Sequence, residues 1–168
     1  MAEITLGGNT VHTVGNLPLV GSIVPDSRLT NPDLTDFKLS DYRGKKVILN
    51  IMPSISTGVC AASMRAFNKV ASGLENTVVI CVSKDLPFAY KHFCGVEGID
   101  AVVCGSEYKE HSFSEAFGVV MTNGAFEGLM SRAVVVLDEK GAVTYAQQVP
   151  EIGQEPDYDS ALAAVRAV

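Results

Sequence analysis

Hydrophobic and polar positions follow two different rhythms along this chain. From Val47 the apolar residues run almost unbroken, as Val47-Ile48-Leu49-Asn50-Ile51-Met52. Such a run predicts a strand covered on both faces, and Pro53 ends it. The period then turns helical. Val59, Ser63, Phe67, Val70 and Leu74 share one stripe, with Arg65, Asn68 and Lys69 off it and Gly73 suited to the helix end. Residues 77–82 read as a second buried strand. Residues 86–93 read as a helix with Pro87 in its first turn. Ala101-Val102-Val103 reads as a short third strand, and residues 112–117 as a helix stopped by Gly118.

The two ends of the chain have another character. Ile4-Thr5-Leu6 and Val11-His12-Thr13 flank the turn Gly7-Gly8-Asn9, which predicts a hairpin. A loop through Pro18, Gly21 and Pro25 follows, then a strand at Phe37-Lys38-Leu39. Residues 133–137 and 143–146 are strand-like and joined by Glu139-Lys140-Gly141, so they predict an antiparallel pair. Residues 158–165 close the chain as a helix, with Asp157 as its N-cap. The order predicts an α/β fold: a central mixed β-sheet flanked by helices on both faces, preceded by a β-hairpin. At 168 residues the chain is expected to form one domain, 1–168.

Composition narrows the function classes. Hydrophobic residues make up 47%, enough for a packed interior. The net charge is −6 with no basic run, which disfavours a nucleic-acid partner. Met1 to Gly8 shows no secretory signal, and no apolar stretch approaches the roughly 18 residues of a membrane span. The cytoplasm is therefore the expected location, where free thiols survive. The four cysteines, Cys60, Cys81, Cys94 and Cys104, form no CxxC pair, and no HxxxH pair accompanies them. No metal or cofactor site is read from the chain.

The chemistry concentrates in Pro53-Ser54-Ile55-Ser56-Thr57-Gly58-Val59-Cys60. This segment leaves the carboxyl end of a buried strand and enters a helix, where sites in open α/β sheets gather. Cys60 falls in the first helical turn. The free N–H groups and the positive end of the dipole favour an anion there, and the thiolate is the reactive form of a cysteine. Thr57, three residues earlier, is placed to hydrogen-bond the thiolate and an incoming substrate. Pro53 removes a donor and walls the pocket from water. Two arginines are candidate cations. Arg132 opens the strand at 133–137, and if that strand runs antiparallel to 47–52 it reaches the edge where Cys60 sits. Arg65 lies about 140° around the helix from Cys60 and is expected to face away. Cys81 reads as inert core, Cys104 as structural, and His12, His92 and His111 as surface residues.

Pro53, Thr57 and Cys60 match the PxxxTxxC motif of peroxiredoxins. Together with PSISTGVCAAS, LPFAYKHFCGVEG, RAVVVLDE and EPDYDSAL, they resemble the bacterial thiol peroxidase subfamily over essentially the whole chain. The resemblance implies a thioredoxin-like fold, a homodimer, and reduction of hydrogen peroxide or alkyl hydroperoxides. It implies Cys60 as the peroxidatic cysteine and Cys94, in a helix ending Phe93-Cys94-Gly95, as its resolving partner. It also implies Arg132 as the active-site arginine and thioredoxin as reductant. The family often carries Asp where this chain has Ser56, which predicts altered loop geometry or charge. If Cys60 and Cys94 sit at helix ends too far apart to bond, both segments must unwind, eased by Gly95 and Gly98. Two other readings use the same scaffold: a dithiol–disulfide exchanger, disfavoured by the missing CxxC, and a peroxide sensor signalling through Cys60.

Overall fold

The structure, a computed structural model, describes Met1–Val168. Seven strands form the main sheet. Arg28–Thr30 (β3) and Asp36–Lys38 (β4) lie at one edge; Val103–Ser106 (β7), Thr77–Ser83 (β6) and Lys46–Ile51 (β5) form the centre. Ala133–Leu137 (β8) and Val143–Gln148 (β9) complete the other edge, giving the order β4-β3-β7-β6-β5-β8-β9. The β5–β6 and β6–β7 pairs are parallel; β3–β4, β3–β7, β5–β8 and β8–β9 are antiparallel. This is the mixed sheet expected from the sequence. Glu3–Leu6 (β1) and Asn9–His12 (β2) form a separate antiparallel hairpin.

The apolar run of β5 divides by parity, as a strand covered twice must. Val47, Leu49 and Ile51 enter one cluster with Phe113 and Phe117, from or next to the short helix Ser112–Ala116 (α3). Ile48 and Met52 enter the other. There they meet Cys60, Met64 and Phe67 of Gly58–Ala71 (α1), Tyr90 of Pro87–Glu97 (α2), and Ala161 and Val165 of Tyr158–Arg166 (α4). All four cysteines belong to or pack against this second cluster. Asp157 caps α4 by accepting the Ser160 N–H at 3.0 Å. No helix is long and apolar enough to cross a membrane.

Several boundaries differ from expectation. The buried stripe of α1 is Cys60, Ser63, Met64, Phe67 and Ala71, while Val59 and Val70 are only half-buried. The third central strand starts at Val103, not Ala101, and includes Gly105. A Cβ on Gly105 would stand 2.9 Å from Leu29 Cδ1, so this position is kept bare for close packing against β3. The strand expected at Phe37-Lys38-Leu39 spans Asp36–Lys38, and Leu39 already belongs to a 3₁₀ turn, Leu39–Tyr42. Helix α2 continues to Glu97, so Cys94 lies inside it and not at its end.

Candidate active site

The loop between β5 and α1 is held from both sides. Asp85, just past β6, accepts the Ser54 hydroxyl at 2.7 Å and the Ile55 N–H at 2.9 Å. Ser106 Oγ donates to the Asp85 carbonyl. Three neighbouring strand ends therefore share one carboxylate residue, and the loop is fixed where the central strands terminate. Asp85 was not picked out from the sequence, because nothing local to it reveals that it reaches across to residues 54 and 55. Ser56 is exposed, and its N–H donates to Ser54 Oγ at 3.1 Å. Pro53 is buried behind the loop.

Thr57 is the N-cap of α1. Its Oγ1 accepts the Cys60 N–H at 3.2 Å and donates to the Ser54 carbonyl at 3.3 Å. The threonine thus touches Cys60 through the backbone, and a hydroxyl bond to the sulfur itself is not formed here. The cap satisfies one of the free N–H groups of the first turn. Cys60 is fully buried, with Met52, Ile55 and Met64 in the same apolar cluster, and its carbonyl accepts the Ser63 hydroxyl at 2.8 Å.

Arg132 precedes β8, whose antiparallel register with β5 pairs Ile51 with Ala133. Its Nε donates to the Ile152 carbonyl at 2.9 Å, and its Nη1 is buried without a hydrogen-bond partner. Leaving an ionised donor unpaired in the interior is expensive, so such a group marks a place for an acceptor. A cleft of about 210 Å³ lies here, walled by Thr57, Gly58, Val59, Arg132, Leu6 and Phe126 among others. The structure thus brings Thr57 and Arg132 to one cleft at the start of α1, while the Cys60 side chain stays behind that wall. The N-terminal hairpin closes the far side. Glu151 accepts the N–H groups of Gly7 and Gly8 and the Thr5 hydroxyl, and the Ile152 N–H donates to Thr5 O. That contact steadies the loop whose carbonyl orients Arg132.

Arg65 points elsewhere, as expected. It forms a two-point ion pair with Glu97 (Nε–Oε2 2.9 Å, Nη2–Oε1 3.1 Å), linking α1 to the last turn of α2.

The other three cysteines lie close together. No disulfide is present. Cys94 Sγ stands 3.5 Å from Cys104 Sγ, across the interface between α2 and β7. Cys104 and Cys81 are register partners on neighbouring strands. The hydrogen bond from Cys104 lowers the Cys94 thiol below its ordinary range. That same bond, with burial added, pushes Cys104 far up. Burial pushes Cys81 up to about 12 despite a weak bond from Asn50, which disfavours its thiolate. The reading of Cys104 as merely structural missed its contact with Cys94, which only the packing of α2 on β7 creates.

Cys94 also forms the stop of its own helix. Its carbonyl accepts the N–H groups of Gly98 and Ile99, and Gly98 adopts the left-handed conformation at φ 66° that this kind of ending requires.

Comparison with known proteins decides the relationship. The family model described as Redoxin matches residues 19–162. The chain belongs to the Redoxin family. Thiol peroxidase of Mycobacterium tuberculosis is 50% identical over 167 residues, 99% of this chain and 100% of that one. Thiol peroxidase of Corynebacterium glutamicum is 47% identical over 165 residues, covering 98% and 99%. Among solved structures, a peroxiredoxin-like protein from Aquifex aeolicus superposes with a TM-score of 0.94 at 34% identity, covering 99% and 97%. This Redoxin is accordingly a peroxiredoxin-type peroxidase with a thioredoxin-like fold.

Proposed function

We propose that this peroxidase uses Cys60 as its peroxidatic thiol, with Thr57, Arg132 and Pro53 shaping the peroxide site. The observation that carries this reading is that Arg132, whose buried Nη1 has no hydrogen-bond partner, lines the same cleft as the capped first turn of α1. A hydroperoxide entering the cleft offers that nitrogen an oxygen acceptor. The cleft's apolar members, Leu6, Val59 and Phe126, suit the carbon chain of an alkyl hydroperoxide as well as hydrogen peroxide. Breathing of the first turn of α1 brings Cys60 Sγ onto the peroxide. The thiolate attacks one oxygen, the O–O bond breaks, and the departing hydroxide or alkoxide takes up a proton. Arg132 steadies the charge that develops on the leaving oxygen. Cys60 becomes a sulfenic acid.

Cys94 then attacks Cys60, water leaves, and an intrachain disulfide forms. Its reach requires α2 to open, because Cys94 is held inside that helix against β7. A thioredoxin-type dithiol is the proposed reductant and the cytoplasm the proposed location. Two copies of the chain are proposed to pair. The exposed Leu86, Phe88 and Val96 of the α2 region, beside a groove lined by Ile55, Ala89 and Phe93, supply an apolar surface for that contact. We also take residues 1–168 to act as one domain.

The test is peroxide consumption with thioredoxin and its reductase, and with dithiothreitol. Wild-type protein should turn over hydrogen peroxide and an alkyl hydroperoxide, and Cys60→Ser should abolish both. Activity surviving in Cys60→Ser would move the chemistry to another sulfur.

A further inference from the structure

Cys104 has no part in a two-cysteine cycle, yet its sulfur is 3.5 Å from that of Cys94. A disulfide spans about 2.05 Å, so closing this gap needs roughly 1.5 Å of sulfur movement. The Cys60–Cys94 link is a different matter. On the proposed cycle it draws Cys94 from its seat against β7, where the Cys94 carbonyl also forms the helix stop.

We propose that Cys104 is a third redox thiol, which exchanges with the Cys60–Cys94 disulfide to form Cys94–Cys104 and hands back Cys60 as a free thiolate. The inference rests on Cys94 being the resolving cysteine. In the exchange, Cys104 gives up its proton and its sulfur attacks Cys94 Sγ. The Cys94–Cys60 bond breaks, and its electron pair leaves on Cys60 Sγ. One S–S bond forms as another breaks, with no net oxidation. The oxidising equivalents are those the peroxide delivered to Cys60.

Two features drive the exchange. The new disulfide is compatible with α2 packed on β7, so the helix refolds; a crosslink that fits the folded chain wins over one that holds it open. The groups that restrain Cys104 also relax at the right moment. Its hydrogen bond to Cys94, the leading cause of its raised pKa, is absent once Cys94 is oxidised, and the opening of α2 uncovers the thiol. Cys81 does not compete. It sits at the centre of the sheet, fully buried, with Asn50 Nδ2 bound to its sulfur. The consequence is that the oxidising equivalents are held as a Cys94–Cys104 disulfide at the α2–β7 interface, while Cys60 is free to react with a second peroxide.

The experiment is a timed oxidation of the reduced full chain with one equivalent of hydrogen peroxide. Acid quenching, alkylation and non-reducing peptide mapping follow. Cys60–Cys94 should appear first, and Cys94–Cys104 should overtake it by roughly tenfold as Cys60 becomes alkylatable again. Without reductant, wild-type protein should consume a second equivalent of peroxide, whereas Cys104→Ser should stop after one and retain Cys60–Cys94. If that link persists undiminished in wild-type protein with Cys104 still alkylatable, the exchange is overturned while the role of Cys94 stands. If Cys104→Ser never forms Cys60–Cys94, the reading of Cys94 fails and the exchange falls with it. The wild-type time course needs no variant to fold.

Discussion

Helix α1 buries six side chains, among them the whole of Met64 and Phe67; helix α2 buries two, Pro87 and Tyr90, both in its first half. Each fully buried large apolar side chain contributes about 1.5–3 kcal/mol. The helix with Cys60 is therefore riveted along its length, and the helix with Cys94 is pinned at one end. Tyr90 holds that end through Ser83 Oγ at 2.6 Å. Beyond it, α2 depends on the half-buried Phe93, the Cys94–Cys104 contact, the Arg65–Glu97 pair and the stop at Gly98. The contrast refines the expectation that both segments unwind. Under the proposed cycle, the larger movement is expected in the second half of α2, with α1 needing only to loosen its first turn.

The sharpest way to break this contrast is to exchange the roles of the two thiols. Cys60→Ser should lower peroxide turnover by about a thousandfold or more, as loss of a nucleophile does. Cys94→Ser should leave the first oxidation of Cys60 within about twofold of wild type in stopped flow while recycling by thioredoxin stops. Equal damage to both steps would erase the division of labour.

Arg132→Met comes next. It should slow Cys60 oxidation by about a hundredfold, the scale for losing one preorganised donor to a developing oxyanion. Thermal stability should hold or rise, because a buried guanidinium with an unpaired nitrogen is replaced by apolar volume. A stability loss with unchanged oxidation rate would make Arg132 a scaffold residue only.

Hydrogen exchange tests the pinning directly. Amides of residues 92–97 should exchange about a hundredfold or more faster than those of residues 62–68. Similar protection in both segments would make α2 as fixed as α1.

The pH behaviour of Cys94 offers a finer measure. The hydrogen bond from Cys104 lowers the Cys94 thiol, so its thiolate persists at pH values where an ordinary thiol is protonated. Cys104→Ala should shift the midpoint of Cys94 alkylation upward, and alkylation below that midpoint should slow by several-fold. An unmoved midpoint would remove Cys104 as the cause.

Arg65→Ala carries the smallest effect. The pair with Glu97 is exposed at Arg65 and screened by solvent, so the melting temperature should barely change. Disulfide formation at Cys94 should nonetheless quicken by about twofold, since the last turn of α2 loses its tie to α1.

The contrast between the helices was only partly legible in the sequence. The unbroken run 47–52, the entry into a helix before Cys60 and the strand start beside Arg132 are local signals, and the antiparallel course of β8 against β5 brings Arg132 to the expected sheet edge. What failed depended on distant packing. Strand β3 is three residues long, begins with Arg28, and exists through pairing to β4 and β7. Strand β7 was displaced because Gly105 lacks strand propensity and is required by Leu29 and Phe37. Helix α2 runs past the expected end at Phe93 and through Gly95 to Glu97, where Gly98 provides the stop. The sulfur pair Cys94–Cys104 depends on the angle at which a helix meets a strand, which no spacing rule encodes.

Because the carbonyl of Cys94 terminates α2, displacing this residue also frays the connection toward residue 103. On the proposed cycle, oxidation state would thereby be written into backbone accessibility. Trypsin cleavage after Lys91, within the helix, would serve as a gauge of which sulfur currently holds Cys94.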